Sequence, residues 1–190
     1  MKVSRINIFI LFFTGLLCSC DAALKHNAEE EKMIGALSDN QAKASINIGT
    51  KRFYSVQSLF EGAVQFDKEK FNLNISDPME SRIIIGFHKA SWYTQLPFTF
   101  RVNNENRYDA RVMIGKIIDR KERIGEGYVM HEGEITISEL SEGKLVMRLN
   151  GKCGRYNDID TTDLLDLEGL IVFKKPNALL LNLTWEDLNK

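Results

Sequence analysis

In a chain of 190 residues, 25 Lys and Arg stand against 26 Asp and Glu, for a formal net charge of −1. That balance lacks the basic surplus with which a protein neutralises a phosphate backbone, so nucleic acid is excluded as a partner. The 44% of hydrophobic residues is enough to build a core, and the chain has the length of one domain with a short extension.

Lys2 and Arg5 precede an uncharged run, Ile6 to Leu17, interrupted only by Asn7, Thr14 and Gly15. A charged head and a short apolar body form an export signal, and the run falls short of the ~20 residues of a membrane span. Residues 1–19 therefore read as a signal peptide. Leu17-Cys18-Ser19-Cys20 follows and resembles the bacterial lipoprotein signal, in which Leu and a small pair precede the Cys that is lipidated and becomes the mature N-terminus. Cys20 is the acceptor in this register, because Ser19 then fills the position that needs a small residue, which Leu17 would not do for Cys18. With Cys18 lost and Cys20 lipidated, Cys153 stands alone, so the exported domain holds together by its core and not by a disulfide. Removing Lys2 and Arg5 from the 25 basic residues leaves 23 against 26 acidic ones, a net of −3.

Residues 20–43 read as a tether that lifts the domain off the membrane. Within it Ala28 to Leu37 places Met33, Ile34 and Leu37 on one helical face, and Ser38-Asp39-Asn40 ends the pattern. From Ala44 to Lys190 almost every signal is a strand signal. Ile46, Ile48 and Phe53 flank Gly49-Thr50 as an opening hairpin. Val64 and Phe66, the charged turn Asp67-Lys68-Glu69-Lys70, then Phe71, Leu73 and Ile75 form a second. Arg82 to Phe87 is an apolar run without alternation and reads as a central strand with both faces covered. Phe98, Phe100 and Val102 follow the break at Leu96-Pro97, and after the turn Asn103 to Asn106 a long strand runs from Tyr108 to Ile118 with an irregularity at Gly115.

The clearest stretch is Glu132 to Lys152. Ile135 and Ile137 point one way and Glu134, Thr136 and Ser138 the other; past Ser141-Glu142-Gly143, Leu145, Met147 and Leu149 resume the apolar face. Glu-Gly followed by alternating apolar residues opens this stretch and recurs at Glu61-Gly62 and Glu168-Gly169, which predicts a third hairpin with its turn at Lys174 to Asn177. Gly at these places reads as a bulge or a sharp bend at a strand start. The expectation is an antiparallel all-β domain of about ten strands, a β-sandwich, with an up-and-down β-barrel as the alternative. The run from Glu132 to Lys152 with Leu167-Glu168-Gly169 also resembles the C-terminal hairpins of small Bacteroidetes-type envelope lipoproteins, and Asp21 after the lipidated Cys resembles the acidic signal that sends such proteins outward. The resemblance implies an outer-membrane location and a sandwich, and it implies no functional residue.

Catalytic patterns are missing. There is no G-x-S-x-G and no phosphate-cradling glycine loop, and His131-Glu132 continues as Gly133-Glu134-Ile135 in a strand, where the helix-face geometry of a zinc motif fails. His26, His88 and His131 are scattered. Asn157, Asp158, Asp160 and Asp163 in the loop Cys153 to Leu165 supply the oxygen ligands that a hard cation prefers, although a solvated acidic loop explains them as well. Trp92 and Tyr93, beside Thr94 and Gln95, are candidates to stack on a sugar or anchor a protein, against packing in the core or at its rim. The sequence asks for no cofactor. Its expected role is a membrane-anchored, non-catalytic module that binds another envelope protein, with a glycan-binding surface protein as one alternative. A hydrolase or ligand-carrying barrel would need a pocket where two or three of His88, His131, Glu132, Asp158 and Asp160 converge.

Overall fold

The computed structural model describes residues 28–103, 105–106, 109–157 and 163–189. The signal peptide and Cys20 lie outside these residues, as do Asp158 and Asp160. The chain divides into two units, Met1–Ala36 and Leu37–Lys190. In the first, residues 28–35 are helical, as the apolar spacing predicts, and the N–H of Ala36 closes the end on the carbonyl of Met33 at 3.2 Å.

In the second unit, the described residues form one sheet of 11 strands. They are β1 (Gln41–Ile48), β2 (Lys51–Arg52), β3 (Glu61–Phe66), β4 (Lys70–Ser76), β5 (Arg82–His88), β6 (Phe98–Val102), β7 (Ala110–Asp119), β8 (Ile124–Leu140), β9 (Lys144–Arg155), β10 (Leu165–Lys174) and β11 (Asn177–Leu180). β1 starts at Gln41, inside the stretch read as tether.

The order β3-β4-β5-β7-β8-β9-β10-β1 is a meander of antiparallel neighbours. Its two ends meet where Ala42 and Phe60 exchange backbone hydrogen bonds of 2.8 and 2.9 Å. The all-β class is as read from the sequence. The single curled sheet has the strand order of the up-and-down alternative, and like a sandwich it surrounds one apolar layer. Bulges in β8 at Met130/Glu132 and Ile137/Glu139 supply the bend that a strand of 17 residues needs to follow the curl.

The two-residue period decides which side chains go inside. β1 and β4 alternate without a fault, burying Ala42, Ala44, Ile46 and Ile48, and Phe71, Leu73 and Ile75. Ile83, Ile85, Ile135, Ile137, Leu145, Met147, Ile171 and Phe173 complete the interior, all with no exposed surface. At one end Tyr54 closes the layer, its hydroxyl 3.0 Å from the carbonyl oxygens of both Arg82 and Gly115.

Two local expectations differ from the structure. The apolar run of β5 is covered on one face, with Ile84 only half-buried, because β5 lies in a sheet whose outer side meets solvent here. The strand buried on both faces is β10, where Leu170 and Val172 are buried outside while Ile171 and Phe173 are buried inside. The third hairpin does not form: after Lys174 the chain crosses to the other end of the sheet, and β11 pairs with β3 in parallel, Asn177 opposite Ala63 and Leu180 opposite Phe66. The Asn40 side chain accepts from the N–H of Asn177 at 3.2 Å, which fastens that crossing.

Candidate functional site

β5 stops pairing with β7 at Arg82 opposite Gly115, whereas β8 stays with β7 to Asp119 opposite Ile124. The end of the β7–β8 hairpin therefore projects as a two-stranded ribbon past the sheet. Its tip is ordered by Asp119, whose carboxylate accepts from the N–H groups of Lys121 at 2.8 Å and Glu122 at 3.1 Å. A bulge between Ile117 and Asp119 turns Ile118 outward, where it is 62% exposed. Arg120 ties the tip to the preceding turn through Glu80 at 2.6 Å.

Between ribbon and turn lies an open groove of about 820 Å³, within the size range of ligand sites. Gly115 and Gly127 sit directly opposite each other and Gly125 sits opposite Ile117, so the Ile117 side chain flanks a floor that is otherwise glycine. Ile118, Ile124 and Tyr156 bring apolar surface to it, and Arg82, Arg155 and Asn157 bring polar groups. Glycine in a strand interior weakens the strand and marks a place of close approach, so three in one patch is a feature that packing alone does not require.

Beside the groove an ionic network closes this end of the interior. The Tyr128 hydroxyl donates to Glu126 at 2.8 Å, and Lys116 meets the other oxygen of the same carboxylate at 3.1 Å. The Lys116 ammonium also lies 4.3 Å from the centre of the Phe53 ring, a cation–π contact. Burial alone would raise the Glu126 pKa, but the Tyr128 hydroxyl and the Lys116 charge outweigh it and hold the carboxyl below its ordinary value. Burial and the Glu126 charge push Tyr128 up. Glu126 is thus an ionised structural anchor here, the opposite of a carboxyl tuned to move a proton near neutral pH.

Compared with known protein families, curated proteins and solved structures, the chain matches none.

The predicted candidates fall as follows. Trp92 is 1% exposed, so it cannot stack on a sugar. Its ring packs edge-on against Phe66, Phe71 and Phe87 at 5.4–5.8 Å, and its Nε1–H donates to the Asp67 carbonyl at 2.9 Å. The short loop folds its indole into the end of the apolar layer because burying so large a ring outweighs the gain from leaving it wet. Tyr93 is half-buried against the same cluster, 6.3 Å from Trp92. Asp163 is exposed, whereas its proposed co-ligands Asp158 and Asp160 lie outside the described residues, among which no group of acidic, His or Cys side chains is placed to hold a metal. His88 ends β5 and is exposed, while His131 and Glu132 sit on β8 with β7 between, so the structure does not bring His88 to them. The groove residues Ile118, Ile124 and Tyr156 were not visible as a site in the sequence. The one signal was Ile124-Gly-Glu-Gly-Tyr128, whose glycines fall on the outward positions, Gly127 facing Gly115 and Gly125 facing Ile117.

Cys153 is fully buried on β9. Burial, with the Asp166 charge adding to it, pushes its thiol from the ordinary value of about 9 up to about 11. The folded state keeps the proton that the unfolded chain gives up, so this contribution to stability is complete below pH ~9 and is lost as pH rises through about 11. It is worth on the order of 2–3 kcal/mol. Urea melts of wild type and Cys153→Ser from pH 8 to 11 should show the wild type losing stability more steeply, and the native thiol should resist a disulfide reagent at pH 8. Parallel pH curves for the two proteins would refute this.

Proposed function

We propose that this protein is a lipid-anchored envelope lipoprotein whose β domain acts without catalysis, as a binding or assembly module that docks another envelope protein at the β7–β8 groove. The observation that carries this is the gathering of exposed apolar side chains. Of the eight large hydrophobic residues exposed among the described ones, Ile118, Ile124 and Tyr156 line this one groove, at 62%, 52% and 59% exposure. Exposed apolar clusters rimmed by polar groups are characteristic of protein contact sites, and Tyr is among the residues enriched there. The lipoprotein signal ending at Cys20 supports the membrane attachment. A ligand-carrying barrel has less support, since the interior is occupied by its own Ile, Leu and Phe side chains. A glycan-binding surface loses its main support with Trp92 in the core.

The test is a pair of substitutions at exposed positions, where effects on stability stay within about 0.5 kcal/mol. Ile118→Asp with Ile124→Asp should leave the thermal midpoint unchanged and remove a discrete cross-linked protein adduct that the wild type forms in intact envelopes. Identical cross-links from the two proteins would overturn the docking role of this face.

A further inference from the structure

We infer that the segment from Asn177 to Leu188 exchanges between two copies of this chain, each copy's β11 pairing with the β3 of the other through an opened hinge at Lys175-Pro176. The seat is one that the chain fills with its own segment. Among the described residues β3 is the one strand that pairs with β11, from Asn177 opposite Ala63 to Leu180 opposite Phe66, and the Leu181 N–H extends the pairing by donating to the Phe66 carbonyl at 3.0 Å. Beyond it Leu183 and Leu188 are buried in the apolar layer, and the Trp185 ring meets Phe66 edge-on at 5.7 Å. These contacts are made with β3 and the interior, which a second copy offers unchanged, so exchange keeps them all.

The hinge decides between the two arrangements, because it alone differs between them. β10 runs antiparallel to β1, and β1 meets Phe60, at the start of β3, in the antiparallel sense too, so β10 and β3 run in one direction. β11 pairs with β3 in parallel and therefore runs the same way as β10, with only Lys175 and Pro176 between them. The chain does not turn back here. It steps sideways, by about the 4.8 Å between neighbouring strands, from the line of β10 to a place beside β3. Lys175 makes that step with a φ of 42°. A side chain disfavours that conformation, and a following proline pushes the residue before it towards extended backbone. Of the six non-glycine residues with positive φ among the described ones, Lys175 is the one followed by proline. An extended Lys175 relieves the strain and carries β11 straight on along the line of β10, away from its own β3 and out to another copy. Short hinges under strain invite such an exchange. Three contacts hold the hinge bent: the Lys175 N–H donates to the Gly143 carbonyl at 2.8 Å, the Lys175 ammonium meets Asp39 at 2.8 Å, and the Asn177 N–H donates to the Asn40 side chain at 3.2 Å. The ion pair is exposed on both sides, at 61% and 60%, and surface pairs of that kind add little. Strain and latch oppose each other, so protein concentration chooses between monomer and exchanged dimer.

The test uses the full chain in a neutral detergent. Two differently tagged forms, one Gln65→Cys and the other Leu179→Cys, are annealed together at high concentration and then oxidised. Gln65 and Leu179 are exposed register neighbours on β3 and β11, so a disulfide between the two forms requires the segment of one chain to lie on the β3 of the other. That disulfide should form. The control pair, Glu61→Cys with Leu179→Cys, should give far less of it, because Glu61 lies outside the β11 register. Cys153 is buried and takes no part. Sedimentation should show a dimer whose share rises with concentration. Lys175→Gly adopts the observed φ freely and Lys175→Val avoids it, and both lose the Asp39 pair, so the difference between them reads the hinge strain. Two hinges relax in each dimer, so the association constant of Lys175→Val should exceed that of Lys175→Gly by at least about tenfold. No disulfide between the tagged forms, as much of it at Glu61 as at Gln65, or equal association constants for the two hinge variants would overturn the inference. So would a dimer that Ile118→Asp with Ile124→Asp dissociates, since the contact would then lie at the β7–β8 groove and β11 in its own sheet.

Discussion

Gly133→Val is expected to prevent the domain from folding. Gly133 on β8 lies opposite Gly151 on β9, next to the bulge at Met130/Glu132. An added Cβ at Gly133 would stand 2.2 Å from the Asn150 carbonyl oxygen and 2.4 Å from the Gly151 Cα, and one at Gly151 would stand 2.1 Å from the Glu132 carbonyl oxygen. Those neighbours are backbone atoms paired in the ladder, which no rotamer change can move. The φ of 134° at Gly133 adds a conformation that a β-branched residue avoids. Met130 lies over the pair, its Cε 2.6 Å from that same Cβ position, so the side chain would displace a buried residue as well. A cost above about 4 kcal/mol is expected, a large part of the 5–15 kcal/mol that holds a domain together. Gly127→Ala is the control, since its nearest neighbours are 3.7 Å away. Circular dichroism should show sheet structure in Gly127→Ala and its loss in Gly133→Val. A urea midpoint for Gly133→Val within about 1 kcal/mol of wild type would contradict the close approach of the two strands.

This glycine pair also shows what a two-residue period can and cannot convey. The Glu-Gly recurrence was legible as a break in regular strand structure, and Gly62 has the same cause as Gly133, an added Cβ at 2.1 Å from the Asn74 carbonyl oxygen. Gly169 is different: it lies inside the layer against Leu149 and Ile46 side chains. One sequence pattern thus serves two packing needs, and the pattern cannot tell them apart. Alternation did identify the faces of β1, β4, β8 and β9, because facing is a local property of a pleated strand. Pairing is not local. Leu179 and Leu181 read as the return arm of a hairpin, yet they are exposed on and just past a strand that pairs with β3, far back in the sequence. β5 and β10 are both apolar runs rich in β-branched residues, and only the three-dimensional neighbours decide that β10 is covered twice and β5 once. The groove was illegible for a related reason. Ile118 carries no mark of exposure, which follows from β7 outrunning β5 and from the bulge beside it, both consequences of register between strands.

Cys20→Ser is expected to have the largest effect on where the protein acts. Cys20 lies outside the described residues, and the expectation rests on Leu17-Cys18-Ser19-Cys20 after the apolar run. A single acyl chain gives only marginal, reversible membrane binding, on the order of 10⁴ M⁻¹, so stable attachment takes more than one chain. The bacterial lipoprotein signal implies a diacylglyceryl thioether on the Cys sulfur, commonly with a third chain on the new amino group. Serine cannot form the thioether, so the variant should move from the membrane to the soluble envelope fraction or stall as an uncleaved precursor. Folding should be unaffected, because the sheet begins at Gln41 and holds its ends together through Ala42 and Phe60. Its urea midpoint should equal that of the wild type. Cys153→Ser should leave attachment untouched, since that thiol is enclosed on β9 and reaches no membrane. Fractionation with mass spectrometry of the intact wild-type chain decides the matter: an unmodified, soluble protein whose N-terminus is not Cys20 would remove the membrane anchor, and with it the reason to look for the partner of the β7–β8 groove among envelope proteins.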